Sequence, residues 1–506
     1  MKKIIIIIIL TFPLLWEDVQ AQSTVTASQE ETFYEDFGQK LLIRANPNDN
    51  NNPLIYYVTA SNIGRKWYFL YHSLNGSGNA YKFLWPTYAN SLNSKALYVH
   101  DMVILGNFCY FCGTDYYPSE TYFDPEMGWT YLYDSIGFVG RISLNKINNP
   151  TPSIAIQVHD VGGTKNLTKL DATVYSGDTI LALVGMSSTT GMPPALVLYN
   201  KFTAGWKERV YPLDNPDEIV TDVIFTQEQL VTVSLFRNEH FSFGLRREDI
   251  SSVQVGNPNL YNYNMLIKYN TYNMTGPNSP NPKATWHPKN ITALLSCIPG
   301  SDTVTVAYQC IDSLSSCPNS MYQTALFQII CDPYDNLYRQ IYNAQLVSNN
   351  LNINNYTFVD MMYIPHDKTT ALLHYNVTNS LYGASILQFA SWNTLDDYIP
   401  NLLTDHQDYR SLNVFQNKYF YLTGASQSDS TIMYFRQNQQ YSNSQPSYSC
   451  YATRPLSYSR SLTGGSWEFI HTVIPKVDPK DFTTNSNNIV GTQTRRITSC
   501  NIVTEQ

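Results

Sequence analysis

Six stretches of the chain repeat one pattern of apolar and polar positions. They are HDMVILGNFCYFCG from His100, LDATVYSGDTILALVG from Leu170 and TDVIFTQEQLVTVSLF from Thr221, followed by ITALLSCIPGSDTVTVAY from Ile291, VDMMYIPHDKTTALLHY from Val359 and RSLNVFQNKYFYLTG from Arg410. Each starts at a small polar residue: Asp101, Asp171, Asp222, Thr292, Asp360 or Ser411. Alternating apolar residues follow, then a polar turn, then a second apolar run. Three of the second runs close on a glycine, Gly113, Gly185 and Gly424. Alternation on both sides of a Gly/Asn/Asp turn predicts a β-hairpin. A third strand follows each hairpin: GFVGRISL, PPALVLYN, SFGLRRE, TALFQIIC, GASILQFA and TIMYFRQ.

The hairpin starts lie 70, 51, 70, 68 and 51 residues apart, a mean of 62. Three or four antiparallel strands at that spacing predict an all-β fold, a β-propeller. A β-sandwich is the plainer alternative, but it does not require the same hairpin six times. One period before Asp101 lies Gln39, and LLIRAN, PLIYYVTAS, RKWYFLYHSL and AYKFLWP follow it as four strands. That makes the propeller seven-bladed over residues 39–475. Six blades result if the first stretch only closes the ring with SWEFIHTVIP near the C-terminus. Residues 476–506 read as a polar tail.

The chain opens MKKIIIIIILTFPLLWEDVQAQS. Two lysines, a short apolar run and small residues at Val19 and Ala21 predict a signal peptide over residues 1–21 and an exported protein, periplasmic, cell-surface or secreted. Residues 22–38 form a short N-terminal segment. No later apolar run reaches the roughly 20 residues of a transmembrane helix. Net charge is −8, which disfavours nucleic acid as a partner. The 39 tyrosines suit strands.

Cys109 and Cys112 form a C-x-x-C inside a strand, where positions i and i+3 face opposite ways about 10 Å apart. A disulfide between them is not expected. An exported chain with eight cysteines still invites bridges. Cys310 with Cys317, and Cys450 with Cys500, are the candidates.

The FCYFCG run, followed after a loop by GFVGRI, resembles repeats in uncharacterised secreted β-propeller-like proteins of Bacteroidetes. Such bacteria O-glycosylate exported proteins at Asp-(Ser/Thr)-apolar tripeptides. The resemblance therefore implies Ser135, Thr179, Thr303, Ser313 and Ser430 as acceptors, all placed at turns or loops by the sequence.

No H-E-x-x-H, nucleophile elbow or phosphate-binding glycine loop is present. The pairs His100-Asp101, His159-Asp160 and His366-Asp367 read as strand-edge residues. Residues 113–137, GTDYYPSETYFDPEMGWTYLYDSIG, read as a long aromatic loop. Tyr116, Tyr117, Tyr122, Trp129 and Tyr131, with Trp286 in a second insertion, are candidate ligand-binding residues for a glycan or a protein. Asp115, Glu120, Asp124 and Glu126 could hold Ca2+, although no known loop spacing is met; no other cofactor is expected and no metal ligands are assigned. The leading expectation is a non-catalytic binding protein. The alternatives are a carbohydrate-active enzyme, hydrolase or lyase, with its site at the central channel, and a structural envelope protein. A cluster of Asp, Glu, His or Arg at the channel mouth would favour the enzyme, and an aromatic shelf without paired carboxylates would favour binding.

Overall fold

The computed structural model describes strands and turns lying between residues 28 and 498, and side chains chiefly within 40–58, 98–116, 134–144, 158–186, 220–250, 293–307, 359–373 and 411–413. The signal-peptide stretch, Trp286, Ser313, Cys317, Cys450 and Cys500 lie outside the described residues, as does the Cys310 side chain. Both proposed cysteine bridges therefore fall outside as well. Among the described residues no helix is long and apolar enough to cross a membrane.

The fold is all-β and propeller-like. Antiparallel units follow one another along the chain. Their first strands are Asp36–Asn46, Ala96–Leu105, Thr164–Tyr175, Glu218–Phe225, Pro288–Cys297, Tyr356–Ile364 and Gln407–Phe415. Each pairs with the following strand as the hairpin pattern predicts. The first strands pack on one another in chain order, and Gln407–Phe415 packs back on Asp36–Asn46. These are the inner strands, about a common axis.

Burial on both faces explains the apolar runs. In the second unit Cys109 and Phe111 pack with Leu54, Tyr56 and Val58 of the first unit. The alternate residues Tyr110 and Cys112 pack with Leu167, Leu170, Leu181 and Leu183 of the third. Ile180, Ala182 and Val184 continue onto Val220, Val223 and Phe225 of the fourth. A strand with core on both sides loses the apolar/polar alternation of a one-sided sheet. Cys109 and Cys112 thus occupy two different cores, which is why they stay unbonded. Burial pushes both thiols well up, away from the reactive thiolate form.

Every inner strand carries an irregularity of one residue near its start. It falls between Gly38 and Lys40, Val99 and Asp101, Leu167 and Lys169, Val220 and Asp222, Pro288 and Asn290, Phe358 and Asp360, and Tyr409 and Ser411. The recurrent glycines sit opposite this bulge: Gly113 pairs with Val99, Gly185 with Leu167 and Gly424 with Tyr409. A Cβ at Gly113 would fall on the carbonyl oxygen of Tyr98, and one at Gly185 on that of Asn166. The bulge brings backbone against backbone there, and only glycine leaves room.

The ends of the chain add strands to the outside. Ser28–Phe33 pairs with Asp429–Arg436 of the last unit. The C-terminal region runs backwards around the rim. Tyr458–Ser461 pairs with Arg339–Ser348, Ser466–Ile474 with Asn262–Asn270, and Lys480–Phe482 with Trp206–Pro212. Asn485–Gln493 then bridges Ser153–Val161 and Tyr81–Leu84, and Arg496–Thr498 reaches Ser28–Phe33. SWEFIHTVI therefore edges the fourth unit instead of closing the ring with the first stretch, and part of the polar tail is strand.

Candidate functional site

The bulge fixes which residues stand at equivalent places around the axis. They are Lys40, Asp101, Lys169, Asp222, Asn290, Asp360 and Ser411. The sequence pattern had aligned Asp171 and Thr292 with the other acids, but the register places both two residues further along their strands. Alternation keeps i and i+2 on one face, so Asp171 still belongs to the axial group.

The aspartates make one repeated clasp. Asp101 Oδ1 accepts from the Met102 amide at 3.0 Å, and Oδ2 from the Leu170 amide of the next unit at 3.0 Å. Asp171 does the same with Ala172 at 2.8 Å and Phe225 at 2.7 Å. Asp222 takes Val223 at 2.9 Å and Leu295 at 2.8 Å. Asp360 takes Met361 at 3.1 Å and Leu412 at 2.9 Å. The Ser411 hydroxyl donates to Asp360 at 3.2 Å and accepts from the Leu41 amide at 3.3 Å, passing the link to the first unit. Hydrogen bonds to a charged acceptor contribute about 1.5–3 kcal/mol each. These carboxylates therefore hold neighbouring units together.

Two lysines offset the acids. Lys40 Nζ lies 3.2 Å from Asp101 and 3.7 Å from Asp360, with its side chain 18% exposed. Burial alone would lower its pKa, but the two carboxylates more than reverse this and hold it well above its ordinary value. Lys169 is likewise pulled down by burial and raised on balance, chiefly by Asp222. Burial pushes Asp171 up to about 7, against the pull of the Phe225 and Ala172 amides, with Asp101 and Asp222 adding to the rise. Asp222 is also raised by burial, while Lys169 and the Leu295 and Val223 amides pull it back. The axis thus gathers acids, two cations and a carboxyl that exchanges its proton near neutrality.

A pH dependence follows. The Asp171 value is about 7 when folded against 3.8 as its ordinary value. The protonated form is favoured on folding, so its contribution is complete below 3.8 and lost as pH rises through 7. Asp222 acts in the same direction. Denaturant midpoints should therefore fall between pH 5 and pH 8, and Asp171→Asn should flatten that slope; an unchanged slope in the variant would contradict the assignment.

The other predicted residues sit elsewhere. His100 points to Thr114, with Nε2 2.8 Å from Oγ1, and not to the Lys40 pair. Residues 113–137 form no loop: Phe108–Asp124 and Gly128–Ser143 make one long hairpin. Its alternating aromatics carry it on as a ribbon. Tyr116 is 40% exposed and meets Tyr98 edge-to-face at 5.0 Å. Tyr117, Tyr122, Trp129 and Tyr131 are described only by their place in this ladder. Among the described residues no group of three or more His, Cys, Asp or Glu side chains could hold a metal. Ser135 lies within a paired strand, not at a turn, whereas Thr179 and Ser430 each stand one residue into their strands beside a turn and Thr303 opens its own. Lys40 and Lys169 were missed. Lys40 stands 61 residues before Asp101, one period away, and that spacing was the available signal.

No protein-family profile and no curated protein matches this chain. Solved structures do. An α-L-arabinanase of Penicillium chrysogenum, complexed with arabinobiose, is similar at 11% identity and TM-score 0.33, over 82% of this chain and 99% of that one. An α-L-arabinofuranosidase of Fusarium graminearum is similar at 10% identity and TM-score 0.32, over 82% and 98%. A β-fructofuranosidase of Bombyx mori is similar at 8% identity and TM-score 0.27, over 88% and 94%. The expectation of a non-catalytic binding protein is corrected here. The axis holds the cluster of aspartates that was to favour the enzyme.

Proposed function

We propose that the chain is a glycoside hydrolase working at the axis of a seven-bladed β-propeller. The observation that supports this is the axial group itself. Asp171, with its proton held to about pH 7, belongs to the same axial group as Asp101, Asp222 and Asp360. Glycosidic cleavage uses one carboxyl as proton donor and a second, ionised carboxylate as base or nucleophile. Burial separates the two roles by raising the acid. In this assignment Asp171 donates the proton to the leaving oxygen. Asp101, 3.2 Å from Lys40 Nζ, is the second carboxyl of the pair. The inner strands supply rigid backbone, so the carboxyls are held in place without substrate.

The test is release of reducing ends from a panel of neutral polysaccharides, followed against pH. Activity should fall as pH rises through about 7, where Asp171 loses its proton. Asp171→Asn should lower the rate by about 100-fold or more, with circular dichroism showing that the variant remains folded. No product from any polysaccharide, or a folded variant as active as the wild type, would overturn the assignment.

A further inference from the structure

The long hairpin of the second unit outruns its neighbours. The inner strand stops pairing at Ala96 with Tyr116, and the outer neighbour begins at Gly137 with Val161. Beyond these points Tyr117–Asp124 and Gly128–Ile136 pair only with each other among the described residues. Eight residues of strand extend the ribbon by roughly 25 Å.

One irregularity, between Pro118 and Glu120, sorts the residues of this ribbon. Partners across an antiparallel ladder share a face, and alternate residues change face. Tyr116 pairs with Ser135, Pro118 with Tyr133, Thr121 with Tyr131 and Phe123 with Trp129, and these positions form one face. Tyr117 with Asp134, Glu120 with Leu132, Tyr122 with Thr130 and Asp124 with Gly128 form the other. The first face collects five aromatic residues in a row and no charge. The second collects three acids. Unbroken alternation would have put Tyr122 and Glu120 with Tyr116. The bulge removes them.

We infer that the face carrying Tyr116, Phe123, Trp129, Tyr131 and Tyr133 is a docking platform for a neutral polysaccharide chain. A row of aromatic positions gives successive flat apolar faces for sugar rings. The acids of the opposite face and the net charge of −8 repel a polyanion, which selects the neutral class. A two-stranded ribbon is marginal in water, and covering its aromatic face stabilises it. The base of the platform is Tyr116, which is exposed and leans on Tyr98, three residues before Asp101 on the same inner strand. The platform therefore begins against the inner strand that carries Asp101. Its role in feeding substrate rests on the hydrolase proposal; its binding does not.

Affinity electrophoresis separates the two. The full-length protein is run in gels cast with debranched arabinan, levan or xyloglucan, and with polygalacturonate as the polyanion. Retardation by a neutral polymer is expected, weakened at least about fivefold by Trp129→Ala with Tyr131→Ala and retained in Tyr117→Ala with Tyr122→Ala. Equal weakening by both pairs, retardation by polygalacturonate alone, or no retardation overturns the platform. Reducing-end release is measured on the same proteins. Retardation through the aromatic face without any cleavage leaves the platform standing and removes the hydrolase. Cleavage with an unchanged KM in the Trp129/Tyr131 variant does the reverse.

Discussion

Lys40→Met is expected to destabilise the fold by about 3–5 kcal/mol, the cost of leaving a buried charge without its partner. The methionine fills nearly the same volume, so the loss is electrostatic. Lys40 touches Asp101 at 3.2 Å and Asp360 at 3.7 Å, from units that are not neighbours in sequence order. Without it, Asp101 keeps its two amide donors but loses its cation. Urea unfolding at pH 8 reads the loss. Adding Asp101→Asn should recover part of the loss, because the side chain left without its cation is then neutral. A Lys40→Met protein as stable as the wild type at pH 8 would show that the pair does not hold the ring.

Gly113→Ala is expected to cost about 3 kcal/mol or more, at the upper end for overpacking, because the obstacle is backbone. The new methyl would fall on the Tyr98 carbonyl oxygen and come within 2.9 Å of Phe138 Cε1. Phe138 can turn, but the carbonyl is fixed by the ladder between Ala96–Leu105 and Phe108–Asp124. Gly185→Ala should behave alike, since Asn166 presents its carbonyl in the same way. Gly162→Ala is the control: nothing lies within 4 Å of a Cβ there. Melting temperatures of the three variants give the comparison. Equal shifts for Gly113 and Gly162 would refute a specific backbone contact.

Most of the hairpin plan was legible in the sequence, because each strand is flanked by core on both faces and reads as an apolar run beside a turn. The glycines at 113, 185 and 424 were visible as a recurrence, but their cause was not. It lies in the bulge opposite, which leaves no mark on the apolar pattern. The same bulge hid Lys169 behind Asp171: the eye aligns aspartates, whereas the backbone aligns the position after the extra residue. Lys40 was hidden by its chemistry, since a cation stands where other units carry an acid. The aromatic stretch after Gly113 read as a loop because Pro118, Asp124 and Pro125 look like breakers. Cross-strand pairing overrode that local preference and made it a ribbon. Its two faces depend on the irregularity at Ser119, which no periodicity reveals.

The counter-running C-terminal strands set the order of assembly. Residues 458–498 edge sheets begun hundreds of residues earlier, in reverse sequence around the rim. A nascent chain halted at residue 457 would hold its inner hairpins while outer margins still offered unpaired amides and carbonyls, an invitation to join another chain. The girdle that seals those margins is synthesised after every inner hairpin. Its pairings span most of the polypeptide, which makes completion slow relative to hairpin formation. Early release, and not faulty core packing, is thus the stage at which this architecture is most prone to aggregate.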